Sequence, residues 1–132
     1  MRNHILFVGV VLLTAFLVAV LLFYGSSALS RAISFFWPDP YFGKTILFYG
    51  DGCDQCQKVD DFIAKNKIES KIDLVRLEVF NDASNEKLLI RRAKQCGLGS
   101  EQVGVPFIFD TRTEKCILGS VDIVSFFKSV LK

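Results

Sequence analysis

The sequence predicts an α/β domain: a four-stranded mixed sheet with helices on both faces, preceded by one transmembrane helix. Two observations carry this. Ile5 to Tyr24 holds no charge and is broken in its apolar character only by Gly9 and Thr14. A hydrocarbon core of about 30 Å needs roughly 20 such residues in a helix, and this run supplies them. Beyond residue 44, short apolar runs alternate with stretches whose apolar residues recur at helical spacing. Their order is strand-helix-strand-helix-strand-strand-helix. The first half is a βαβ unit, which implies parallel strands and a right-handed crossover. The second half is an antiparallel hairpin. Helices must then cover both faces of the sheet to bury it.

Thr45 to Tyr49 (TILFY) is the first strand, short and apolar throughout. The helix after it starts at the cysteines, with Cys56, Val59, Phe62 and Ile63 on one face. Lys58, Asp60, Asp61 and Lys65 fall outside that face, and Asn66 is its stop. Ile72 to Phe80 reads as the second strand, with Arg76 and Glu78 among apolar residues. Asp82 or Ser84 caps a second helix, in which Leu89, Ala93 and Cys96 share a face and Gly97 ends the run. Phe107 to Asp110 and Lys115 to Leu118 form the hairpin. Val121 to Leu131 is the last helix, with Ile123, Val124, Phe127, Val130 and Leu131 apolar.

Three segments follow: an anchor at 1–24, a linker at 25–43 and a folded domain at 44–132. A cleaved signal peptide is the rival for the first, with Arg2 as its positive start and Ser26-Ser27-Ala28 as small residues for cleavage. Signal cores run about 7–15 residues, and this run is longer, which favours an uncleaved anchor. Positive charge before the run favours an N-terminus inside, so the domain faces out of the cytoplasm. The linker holds Phe35-Phe36-Trp37-Pro38-Asp39-Pro40-Tyr41-Phe42. Its aromatics either lie at the headgroup level or pack on the domain. Half the residues are hydrophobic and net charge is only +2. No basic block points to nucleic acid.

Cys53-Asp54-Gln55-Cys56 directly follows the first strand. Such a pair can hold a metal, staple a loop or exchange electrons. A structural zinc site wants four ligands, yet the only histidine is His4 and no second CxxC exists. Copper(I) needs only two thiolates, so a copper-binding chaperone stays open as the alternative. A staple closing so short a loop constrains little. Cys53 would sit at a helix N-terminus, where unpaired N–H groups and the helix dipole favour a thiolate. Only a thiolate attacks a disulfide sulfur.

The strand order, Cys53-x-x-Cys56 after the first strand, Val105-Pro106 before the third and Gly119-Ser120-Val121-Asp122 before the last helix together resemble the thioredoxin fold, in its short glutaredoxin-like form. The resemblance covers Lys44 to Lys132. It implies that Cys53 is the nucleophile and Cys56 resolves the mixed disulfide. It implies that Pro106 is cis and lies against the pair, and that Val105 offers its backbone to an extended substrate. Gly119 and Ser120 resemble the family's glutathione-binding turn, although Ser120 or Asp122 can equally cap the helix. The implied enzyme is a membrane-tethered thiol–disulfide oxidoreductase acting on protein disulfides outside the cytoplasm. It needs no cofactor beyond the redox-active disulfide Cys53–Cys56, but does need a membrane partner that resets the pair.

Asp51 and Asp54 oppose a thiolate at Cys53 and Lys58 offsets part of this, which leans the pair towards a reductant. The sequence also departs from the family. Thioredoxin proper has a buried acid in its central strand that handles the resolving cysteine's proton, and Thr45 to Tyr49 holds none. Glu78 is the candidate stand-in, against the reading of a solvated strand-end carboxylate. The residues before the cysteines, Gly50-Asp51-Gly52, include no basic residue to hold glutathione, so a protein substrate fits better. Cys96 and Cys116 are either small buried hydrophobes or a second disulfide clipping the second helix to the hairpin.

Overall fold

A computed structural model gives the structure of the chain and describes residues 8–20, 22 and 39–132. These fall into two units, divided after Asp39. In the first, α1 is helical through residues 8–20, a length of about 20 Å at 1.5 Å per residue. Among the described residues no helix is long and apolar enough to cross a membrane. Among the described residues the transmembrane helix expected from Ile5 to Tyr24 is not supported. Residues 5–7, 21, 23 and 24 of that span lie outside the described residues, as do Phe35 to Pro38 of the linker.

The second unit runs from Pro40 to Lys132 and so takes in the end of the expected linker. Tyr41 packs against the apolar cluster beside the sheet, and its carbonyl accepts from Lys44 N at 3.0 Å and from Thr111 Oγ1 at 2.9 Å. Phe42 is exposed. One aromatic of the linker therefore packs on the domain and the next does not.

The elements are β1 (Thr45–Tyr49), α2 (Asp54–Asn66), β2 (Leu74–Glu78), α3 (Ala83–Gln95), β3 (Phe107–Asp110), β4 (Lys115–Leu118) and α4 (Ser120–Val130). The sheet order is β2-β1-β3-β4. β1 runs parallel to β2, Thr45 facing Leu74 and Tyr49 facing Glu78. β3 is antiparallel to β1, and β4 to β3. The central strand β1 is buried on both faces, which is why its sequence reads as one apolar run rather than an alternation. Leu47 and Ile108 meet Val59, Ile63, Ile123 and Phe127 from α2 and α4. Ile46, Phe48, Phe107 and Phe109 meet Leu89 and Ala93 from α3 on the other face.

β2 is shorter at both ends than its expected Ile72 to Phe80. It pairs with the five residues of β1 and stops where β1 stops. Lys67 ends α2 in the left-handed region at φ 51°, its N–H bonding back to Ala64 and Ile63 carbonyls. Asp82 caps α3 by accepting from Ser84 N and Asn85 N. The last helix departs from expectation. Its N-cap is Gly119 at φ 86°, with no side-chain hydrogen bond, so neither Ser120 nor Asp122 caps it.

Candidate active site

The turn Gly50-Asp51-Gly52 carries the chain from β1 into α2. Gly52 adopts φ 73°, which a side chain would resist. Gly50 is buried under the Phe80 ring, and a methyl group there would overlap that ring. The turn delivers Cys53 as the N-cap of α2, with extended backbone angles. Its Sγ accepts from Cys56 N at 3.2 Å, the geometry in which free helical N–H groups stabilise negative charge on sulfur. One turn on, Cys56 lies on the buried face and is 2% exposed, whereas Cys53 is partly exposed. The two are joined as a disulfide, with Cα atoms 5.2 Å apart.

Two other segments close round this pair. The Val105–Pro106 peptide is cis, and Pro106 is fully buried. Val105 O lies 3.9 Å from Cys53 Sγ. Pro106 O accepts from Gly119 N at 3.0 Å, which ties the proline loop to the start of α4. Ser120, buried there, donates from Oγ to Gln55 Oε1 at 2.6 Å. Thus Cys53, Cys56, Val105, Pro106, Gly119 and Ser120 come together, although the three segments that carry them are well separated in sequence. The Gln55–Ser120 bond escaped sequence reading. An exposed glutamine between two cysteines carries no local sign of a partner on the last helix.

The charged residues divide differently from expectation. Lys58 Nζ donates to Gln55 Oε1 at 3.4 Å. Asp51 Oδ2 accepts from Asn81 Nδ2 at 3.4 Å, and Asp54 opens the first turn of α2. Glu78 is not a free strand-end carboxylate, because three backbone N–H groups donate to it. Its Oε1 accepts from Phe80 N at 2.8 Å and Asp51 N at 3.3 Å, and its Oε2 from Asn81 N at 2.8 Å. It pins the cysteine turn to the segment after β2. Partial desolvation raises the Glu78 pKa, but the three backbone N–H bonds outweigh it and hold the carboxyl below the ordinary glutamate range.

A depressed carboxyl contributes stability above its unfolded-state pKa and loses it as pH falls through the folded one. Glu78→Gln keeps the shape and removes the charge. It is expected to lower the urea midpoint at pH 7 and to flatten the acid-side fall of stability below pH about 5. Urea titrations from pH 3 to 7 check this. An unchanged acid limb would mean that the three bonds do not discriminate between the charged and neutral forms.

Asp60, expected outside the apolar face of α2, is half-buried at that face's edge. It forms an ion pair with Arg76 of β2 at 2.6 Å from Oδ1 to Nη2. Arg76 also stacks over the Tyr49 ring, 5.2 Å from its centroid. Burial pushes the Asp60 carboxyl above the ordinary aspartate range. Arg76 opposes this rise, while Asp61 and Glu69 add to it. Tyr49, the Gly50–Asp54 turn, Cys56, Gln57 and Asp60 line one cleft of about 210 Å³.

Cys96 and Cys116 form a second disulfide, Cα atoms 6.2 Å apart, joining the end of α3 to β4. Among the described residues no group of three or more His, Cys, Asp or Glu is placed to hold a metal ion. Comparison with protein-family models, curated proteins and solved structures finds no match to this chain.

Proposed function

We propose that the chain is a thiol–disulfide oxidoreductase of thioredoxin-like fold that acts on protein disulfides. The observation that carries this is the asymmetry of the Cys53–Cys56 pair. Cys53 sits at the N-terminus of α2 and is partly exposed, and Cys56 is buried one turn on. That is the arrangement a two-step exchange needs. A substrate sulfur reaches Cys53 alone, and the mixed disulfide is then expelled from within by Cys56. The Val105 carbonyl beside Cys53 Sγ supports backbone pairing with an extended substrate segment. The sheet order β2-β1-β3-β4 with α2 and α4 on one face supports the thioredoxin-like reading of the fold.

Reduction transfers two electrons from the Cys53–Cys56 dithiol to a substrate disulfide, and a membrane partner restores the dithiol. Asp51 and Asp54, which line the same cleft as Cys53, favour the reductant direction. The uncharged run from Ile5 to Tyr24 supports a membrane tether with the domain outside the cytoplasm. The exposed Leu12, Phe16 and Leu22 within it are consistent with apolar surroundings.

The test is the reduction potential of Cys53–Cys56 in the full chain, equilibrated with glutathione buffers, trapped by alkylation and counted by mass. A potential below about −230 mV is expected and marks a reductant. One above about −180 mV would make the chain an oxidant of folding proteins. Absence of any two-electron transition would end the redox reading and turn the test to copper(I), with protection of both thiols as its readout.

A further inference from the structure

Resolution requires Cys56 to lose a proton before it attacks, because only the thiolate is nucleophilic. Yet Cys56 is 2% exposed, so bulk water cannot take that proton directly. The cleft of about 210 Å³ beneath the cysteine turn opens onto Cys56 and has room for several waters. Three carboxylates line it: Asp51, Asp54 and Asp60. Asp51 is exposed, and its side chain accepts from Asn81. Asp54 is exposed on the first turn of α2. Asp60 is half-buried and lies four residues after Cys56, so the two side chains share one side of the helix about one turn apart.

We propose that Asp60 accepts the Cys56 proton across this cleft when the mixed disulfide on Cys53 resolves. This rests on the redox reading of the pair. The Cys56 thiol passes its proton to the Asp60 carboxylate through cleft water. The Cys56 thiolate attacks Cys53 Sγ, the Cys53–Cys56 bond forms, and the bond from Cys53 to the substrate sulfur breaks. The substrate leaves as a thiolate carrying the electron pair, and the proton passes from Asp60 to solvent. In the reverse direction Asp60 returns the proton to Cys56.

The groups facing Asp60 tune this exchange. Arg76 approaches from β2, Glu69 from the turn after α2, Asp61 from α2 itself and Tyr49 from β1, while Asp51 and Asp54 share the cleft. Partial burial gives the carboxyl a stronger hold on a proton than an exposed aspartate has, and Arg76 keeps that hold from becoming excessive.

The experiment uses the reduced full chain and an aromatic disulfide whose thiol is coloured on release. Attack by Cys53 releases the first coloured thiol and resolution by Cys56 the second, so one trace times both steps. For Asp60→Asn the first step is expected to keep its rate. The second is expected to slow by roughly 10–100-fold near pH 7 and to approach the unmodified rate as hydroxide takes over at high pH. Asp60→Glu should restore most of the second step. Arg76→Gln should move its pH dependence upward, because loss of the cation raises the Asp60 pKa.

Asp60→Asn should fold at least as stably as the unmodified chain at neutral pH. A carboxyl whose folded pKa is raised gives up stability as pH rises through that value. A second step with unchanged rate and pH profile in Asp60→Asn would overturn the proposal while leaving the redox reading intact. Equal slowing of both steps at every pH would also overturn it, as a structural effect. Absence of the first step in the unmodified chain would overturn both readings together.

Discussion

Cys53→Ser is expected to reduce disulfide exchange by roughly a thousandfold or more, to the background of uncatalysed exchange. Cys56→Ser is expected to leave the first attack intact and to accumulate a covalent adduct with the substrate. The difference comes from position, since the two residues are chemically the same. Cys53 caps α2, its sulfur accepts from the N–H of Cys56 and lies 3.9 Å from Val105 O, and the residue is partly exposed. Cys56 points into the core and is shielded from any substrate. Mass spectrometry of alkylated samples, after mixing each variant with a protein disulfide, separates the outcomes. Adducts on Cys56 in the Cys53→Ser variant would reverse the assignment. Equal activity in the two variants would remove the need for an ordered pair.

Replacing both Cys96 and Cys116 by alanine is expected to lower stability by about 3 kcal/mol, the loop entropy of a cross-link of this size. The two residues are 20 apart in sequence. For a domain of about ninety residues this is a fall in Tm of roughly 15–20 °C. The bond clips α3 to β4, which is a sheet edge. Calorimetry of the double variant beside the unmodified chain measures the loss, and a change under about 0.5 kcal/mol would rule out a staple.

The same pair should resist reduction longer than Cys53–Cys56, for an electrostatic reason. Cys96 sits at the C-terminal end of α3, where backbone carbonyls disfavour negative charge. Its sulfur lies 3.7 Å from Glu114 O, and Cys116 Sγ lies 3.9 Å from Arg92 O. A thiolate at Cys96 faces the carbonyl end of its helix, whereas Cys53 Sγ accepts from a backbone N–H at the start of its own. Thiol counting across graded glutathione buffers should find Cys53–Cys56 opening first, and the opposite order would contradict this account.

Every strand and α-helix of the domain was legible in the sequence, since the strands are short, largely apolar runs and each α-helix has its apolar residues at helical spacing, but the 3-10 turns at Ile68–Ser70 and Ser100–Gln102 were not. Legibility failed mostly at the ends. β2 stops with its neighbour β1, and pairing length is a property of two strands, so Ile72 to Phe80 alone could not reveal it. Ser120 has the residue type and place of an N-cap, but Gln55 offers its hydroxyl a partner across the domain. A local rule cannot see a competing acceptor sixty-five residues away. The burial of Asp60 was hidden for a similar reason. Helical spacing places it outside the apolar face, and only Arg76, arriving on β2, gives a half-buried carboxylate a counter-charge.

The residue types and spacings along the chain by themselves determined the mixed sheet, the helix that begins at Cys53 and the difference in depth between Cys53 and Cys56. Each depends on interactions within a few residues: strand hydrophobicity, the dipole and free N–H groups of a helix start, and one helical turn between the cysteines. Tertiary structure alone decided which groups surround them. The Val105 carbonyl at Cys53, the Glu78 clamp on Asp51, the Gln55–Ser120 bond and the Asp60–Arg76 pair all join segments that meet only after the sheet has formed. Hydrogen bonds and ion pairs act over a few ångströms, so their partners are set by the packing of α2 and α4 and the register of β1 on β2, which the order of residues encodes only through the whole fold.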